Sequence, residues 1–201
     1  MEDRKKTNDS QRIHTRLRKN FNLITNITSI SIVLAIILIV FTSVQFNHSL
    51  KSYGFIQGDI GKAMTVFADS RSALRAVIGY LDAGSISEQQ EIYFDKRDSF
   101  TTYFNSITEQ CNYSEAKKIC DNISSVIDDY WTLSDEIIRQ GATSDVNASN
   151  NAQRLEMNKL TPEYDTIYGY MKQLMDCYVT KGNAYKRQLN IIEFVCIAVI
   201  L

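Results

Sequence analysis

The sequence predicts an all-α protein, an up-down-up-down antiparallel four-helix bundle whose long first and fourth helices continue into transmembrane helices. Three observations carry this expectation. A run without charged side chains extends from Asn20 to Leu50, and a second apolar run, Ile191 to Leu201, lies at the other end of the chain. Proline occurs once, at Pro162, and the 201 residues include only eight glycines, so little interrupts helix propagation. Between the apolar runs, hydrophobic side chains recur at alternating steps of four and three, the period of one buried helical face.

The elements follow in order. Leu23 to about Val44 offers the roughly 20 apolar residues that cross ~30 Å of hydrocarbon as a helix. It is longer than the ~7 to 15 residues of a cleavable signal's apolar core, so the span is expected to be retained. Arg4, Lys5, Lys6, Arg12, Arg16, Arg18 and Lys19 precede it, and such an excess of cations marks the cytoplasmic side. The expected organisation is a cytoplasmic leader (1–22), a first transmembrane helix (23–45), an extracytoplasmic sensor domain (46–190) and the start of a second transmembrane helix (191–201). The last is about half the spanning length, so the chain reads as a cell-membrane fragment of a longer polypeptide.

In the exported segment, Ile60, Met64, Phe67, Arg71, Leu74, Ile78 and Leu81 define a first helix that is expected to stop at Ala83–Ser85, with Gly84 at its end. Ser87 followed by Gln90 resembles a capping box opening a second helix, with Phe100, Tyr103 and Ile107 in register and an end near Cys111. A third helix is expected from Ser114 to about Gly141 through Ile119, Ile123, Val126, Tyr130, Leu133 and Ile137. The polar stretch Thr143–Asn151 reads as a loop. From about Ala152 a fourth helix carries Leu160, Tyr164, Ile167, Met171, Leu174, Tyr178 and Tyr185 on one face toward the second span.

Composition excludes several function classes. No basic face suggests nucleic acid. The only histidines are His14 in the leader and His48 at the membrane exit, so neither a metal site nor a histidine-dependent nucleophile can be assembled in the exported core; no cofactor and no catalytic activity are expected. Of four cysteines, Cys111 and Cys120 are the one plausible pair, and free thiols are the favoured state.

One position breaks the pattern. Arg71 stands where the heptad calls for an apolar side chain, and Arg75 follows one turn later. A guanidinium at a packed interface needs an anion, supplied either by the chain, with Asp128 or Asp129 at matching height, or by a ligand. Pro162 falls at the same level, removes a backbone hydrogen bond and displaces the carbonyl of Asn158, while Thr161 before it reads as a fresh N-cap. Arginines opposite freed backbone groups suit a small carboxylate or carbonyl compound. Tyr164 and Tyr168 flank the kink and could stack on a planar ligand.

The segment Ser70-Arg71-Ser72-Ala73-Leu74-Arg75 resembles the first-helix ligand motif of the aspartate class of bacterial chemoreceptors, the methyl-accepting chemotaxis proteins. Pro162 is similarly placed to the break in that family's fourth helix. The resemblance implies an exported sensor of small molecules and marks Ser70, Arg71 and Arg75; Asn158, Thr161, Tyr164 and Tyr168 join them as candidate ligand-binding residues from their place at the kink, although Asn158, Lys159, Leu160 and Thr161 differ from the family's set before its helix break. It also implies cytoplasmic signalling partners reached through sequence beyond Leu201, while a parallel homodimer in the membrane is expected because the thin stalk of the first and fourth helices buries little surface without a second copy. Where the family has a further arginine five residues before the motif, this chain has Val66. A short-chain monocarboxylate, or a carbonyl-bearing ring such as a pyrimidine nucleobase, is therefore expected rather than aspartate. The alternatives are the sensor domain of a membrane histidine kinase and a ligand-free structural membrane coiled coil.

Overall fold

The computed structural model describes residues 2–200, with side chains from His14 onward except Cys196, Val199 and Ile200. Arg4, Lys5, Lys6 and Arg12 of the expected leader thus lie outside the described side chains, as does Cys196. The described residues are helical with no strand: α1 (Glu2–Ser49), α2 (Phe55–Gly79), α3 (Ala83–Gln110), α4 (Ser114–Gly141), α5 (Val146–Leu155) and α6 (Thr161–Ile200). Two five-residue π-helical turns, Leu50–Gly54 and Glu156–Leu160, join α1 to α2 and α5 to α6. The chain divides into two compact units, residues 1–48 with 185–201, and residues 49–184.

In the first unit, α1 exposes the apolar side chains of its middle, with Leu23, Ile30 and Val40 each more than half accessible. Three of its threonine hydroxyls turn back onto the helix. Thr25 and Thr28 donate to the carbonyls four residues back at 2.9 Å, and Thr42 to that of Ile39 at 3.0 Å. Apolar surroundings require such internal satisfaction of polar groups. This helix is long and apolar enough to cross a membrane. Near its end Gln45 accepts a hydrogen bond from the Tyr185 hydroxyl, and the His48 and Tyr185 rings lie 5.9 Å apart.

The second unit packs around Phe67 of α2. Its ring lies 5.1 Å from Phe100 of α3, 5.0 Å from Tyr130 and 5.7 Å from Trp131 of α4, and 5.0 Å from Tyr164 of α6, so all four helices meet at one residue. Burying each such ring contributes about 1.5–3 kcal/mol. Gly141 closes α4 where a Cβ would come within 2.5 Å of Ala152 Cβ and 2.6 Å of Ile78 Cγ2; only glycine lets the three helices approach there.

Three expected boundaries shift. Helix α2 ends at Gly79, and Asp82 caps α3 by accepting the Ser85 N–H at 2.8 Å, so Gly84 belongs to the first turn of α3 instead of terminating the previous helix. The hydrogen bonds from Ser85 hold the Asp82 carboxyl below its ordinary pKa. Ser87 and Gln90 consequently lie inside α3. The stretch expected as a loop is mostly helix, because Asp145 accepts the Asn147 N–H at 2.8 Å and starts α5 at Val146, leaving 142–145 as the connection. Side-chain caps on aspartates, which also suit turns, decided both boundaries.

Candidate functional site

The inward face of α2 is Ile56, Ile60, Ala63, Phe67, Ser70, Leu74 and Val77, again in steps of four and three. Ser70, rather than Arg71, takes the core position. It is fully buried and satisfies its hydroxyl by donating to the Phe67 carbonyl at 2.8 Å. Arg71 stands one residue on, at the edge of the core with 13% of its side chain accessible, and Arg75 is half exposed.

The anion that meets them is Glu156. Its side chain is only 3% accessible, and its Oε1 accepts from Arg71 Nε at 3.2 Å and from Arg75 Nε at 2.9 Å. Arg71 Nη2 donates to Thr161 Oγ1 at 2.7 Å, and that hydroxyl lies 3.3 Å from the same Glu156 oxygen, closing a ring of polar contacts. The guanidinium carbon of Arg71 sits 4.1 Å from the centre of the Tyr164 ring. Tyr164 is sandwiched in turn, stacking on Phe67 at 5.0 Å and on Tyr168 at 5.5 Å, and burial pushes its phenol up.

The π-helical turn explains why an acid lies there. The Thr161 N–H bonds to the Glu156 carbonyl, five residues back instead of four, which inserts one residue into the helix and relieves the crowding that the Pro162 ring imposes on the Asn158 carbonyl. Inward positions then run Ala152, Glu156, Leu160, Tyr164 and Ile167, with three steps of four in succession. A regular helix would have rotated one of these positions away from the core.

The structure therefore brings together Arg71, Arg75, Thr161, Tyr164 and Tyr168, and leaves Ser70 as a packed neighbour. Asn158 is not among them: it is exposed and lines a shallow groove of about 240 Å³ with Asn151, Arg154, Leu155 and Lys159. Asp128 and Asp129 are not the partners of Arg71. Asp128 lines a separate groove of about 310 Å³ beside Arg97 and Trp131. Asp129 faces Glu163, whose carboxyl is pushed up first by burial and then by that neighbouring charge. Glu156 itself escaped the sequence reading, although its four-residue spacing from Ala152 and Leu160 put an acid in core register. Among the described residues no cluster of histidine, cysteine and acids could hold a metal ion.

No family model, curated protein or solved structure matches this chain. Two guanidiniums, a hydroxyl and an aromatic face around one internal carboxylate are what the functional reading rests on.

Proposed function

We propose that the chain is the sensing and transmembrane-signalling part of a bacterial receptor of the methyl-accepting chemotaxis type. In this reading residues 46–190 form an up-down-up-down antiparallel bundle outside the membrane. Helices α1 and α6 carry it into the bilayer, and two copies associate. The single observation that carries the reading is the meeting of Arg71 and Arg75 with the π-helical turn before Pro162. Glu156 acts there as an internal surrogate for a ligand carboxylate. An incoming short-chain monocarboxylate takes the arginine donors, releases Glu156 and resets the π turn, and the shift passes along α6. Because the resident carboxylate competes, binding is weaker than the bare pair of arginines would give.

A second reading, a ligand-free structural membrane protein, is favoured by the same ion pair, since Arg71 has its anion already. Calorimetric titration of the full chain in nanodiscs with acetate, propionate, pyruvate and uracil separates the two. The sensor reading expects one of these to bind, Arg75→Ala to weaken it roughly ten- to a hundredfold, and Glu156→Gln to strengthen it by removing the competitor. Absence of binding in both the wild type and Glu156→Gln leaves the structural reading.

A further inference from the structure

A second chemical centre lies where α3 turns into α4, apart from the arginine site. Cys111 is the C-cap of α3, and Cys120 follows in the second turn of α4. Both are free thiols, and their sulfurs lie 3.3 Å apart. A disulfide needs about 2.05 Å, so closing the pair requires the sulfurs to approach by only about 1.3 Å. We propose that Cys111 and Cys120 are a reversible oxidation site, forming an intrachain disulfide by exchange with a small-molecule disulfide.

The two sulfurs divide the work by their surroundings. Cys111 is partly accessible, whereas Cys120 is 1% exposed, so the first can meet an external disulfide and the second can only resolve what forms on its neighbour. The contact with Cys120 holds the Cys111 thiol down at about 6, with the Tyr178 hydroxyl adding a donor at 3.5 Å, while the same contact and burial push Cys120 up. Cys111 is thus the more readily ionised of the two and supplies the attacking thiolate. Cys177, the other buried thiol described, is pushed up chiefly by burial and stays protonated.

The steps balance. Cys111 thiolate attacks one sulfur of the external disulfide, forms a mixed disulfide and expels one small thiolate. Cys120 then loses its proton to solvent, its sulfur attacks Cys111 Sγ, and the second small thiolate leaves. Two protein thiols are oxidised and one external disulfide is reduced to two thiols. The product has a structural consequence, because the thiolate that Tyr178 of α6 donates to disappears. Tyr178 also meets the Tyr113 ring edge-on at 5.8 Å, and Tyr113 stacks on Tyr53 at 6.1 Å with their hydroxyls 2.8 Å apart. Oxidation therefore loosens the tie between the α3–α4 connection and α6.

The test equilibrates the full chain in detergent with oxidised glutathione, then maps thiols by alkylation and peptide mass. Wild type is expected to lose two hydrogens, reversibly with dithiothreitol, with the Cys111 and Cys120 peptides joined. Cys120→Ser is expected to stop at a glutathione adduct on Cys111, Cys111→Ser to form neither product, and Cys177→Ser to behave as wild type. Both thiols remaining fully alkylatable, a glutathione adduct persisting in wild type, or a bridge involving Cys177 would each overturn the proposal.

Discussion

The chain contains the same backbone device twice. In the turn Leu50–Gly54 the Phe55 N–H reaches back five residues to the Leu50 carbonyl, and in Glu156–Leu160 the Thr161 N–H does the same to Glu156. The first turn buries no residue and needs no proline, whereas the second buries Glu156 and Leu160 and is followed by Pro162. A π turn by itself only inserts a residue; what it does depends on which side chain the insertion turns inward. At Leu50–Gly54 no side chain is fully buried, and only Tyr53 packs against the edge of the core, beside Tyr113. At Glu156 a carboxylate is, and a charge that deep is tolerated because two guanidiniums and a hydroxyl surround it.

The largest break in the comparison is expected from Glu156→Ala. It leaves Arg71, with little access to water, only the longer and largely exposed contact to Asp165 at 4.0 Å, at a cost of about 3 kcal/mol in chemical denaturation. Lys51→Ala in the first π turn should stay within about 0.5 kcal/mol. Equal effects at the two turns would show that burial of the acid is not what separates them.

The two arginines should differ next. Arg71→Ala removes bonds to Glu156 and Thr161 together with the stack on Tyr164, and is expected to cost about 2 kcal/mol. Arg75 is half in solvent, and its loss should cost about 0.5 kcal/mol. Thermal melts of the two single variants and of the double variant measure both values and their coupling.

Pro162→Ala tests whether the proline makes the turn. Since Leu50–Gly54 forms without one, the π turn and the Arg71–Glu156 pair should persist, with stability changed by less than about 1 kcal/mol. Hydrogen exchange across 156–165 reports it, and a collapse of protection there would assign the turn to the proline.

The smallest effect concerns pH. Burial and Asp129 raise the Glu163 pKa in the folded state, so the native protein binds more protons than the unfolded chain between the ordinary carboxyl value and the raised one. Stability should accordingly fall as pH rises through that window, and Glu163→Gln should flatten the slope. An unchanged slope in melting temperature against pH would locate the titration elsewhere.

The helical class, the end of α3 at Cys111, the start of α4 at Ser114 and its close at Gly141 were all legible in sequence, because helix-breaking side chains and a 3.6-residue apolar period are local properties. The apolar run of α1 was legible for the same reason. So was the singularity of Arg71, although its register was read one residue off: Ser70 is small enough for the core, and a long guanidinium is not.

The identity of the partner was a matter for tertiary structure. Glu156 lies 85 residues from Arg71; its four-residue spacing from Ala152 and Leu160 marks it as core-facing, but only the packed helices, with one residue inserted at the five-residue hydrogen bond, bring it to that guanidinium. The caps at Asp82 and Asp145 shifted boundaries in the same manner, since an aspartate suits a turn or a cap equally until the chain folds around it. Periodicity determines which face of a helix is apolar. Which charge meets which across that face depends on rotations of one residue, and those are settled only when the helices pack.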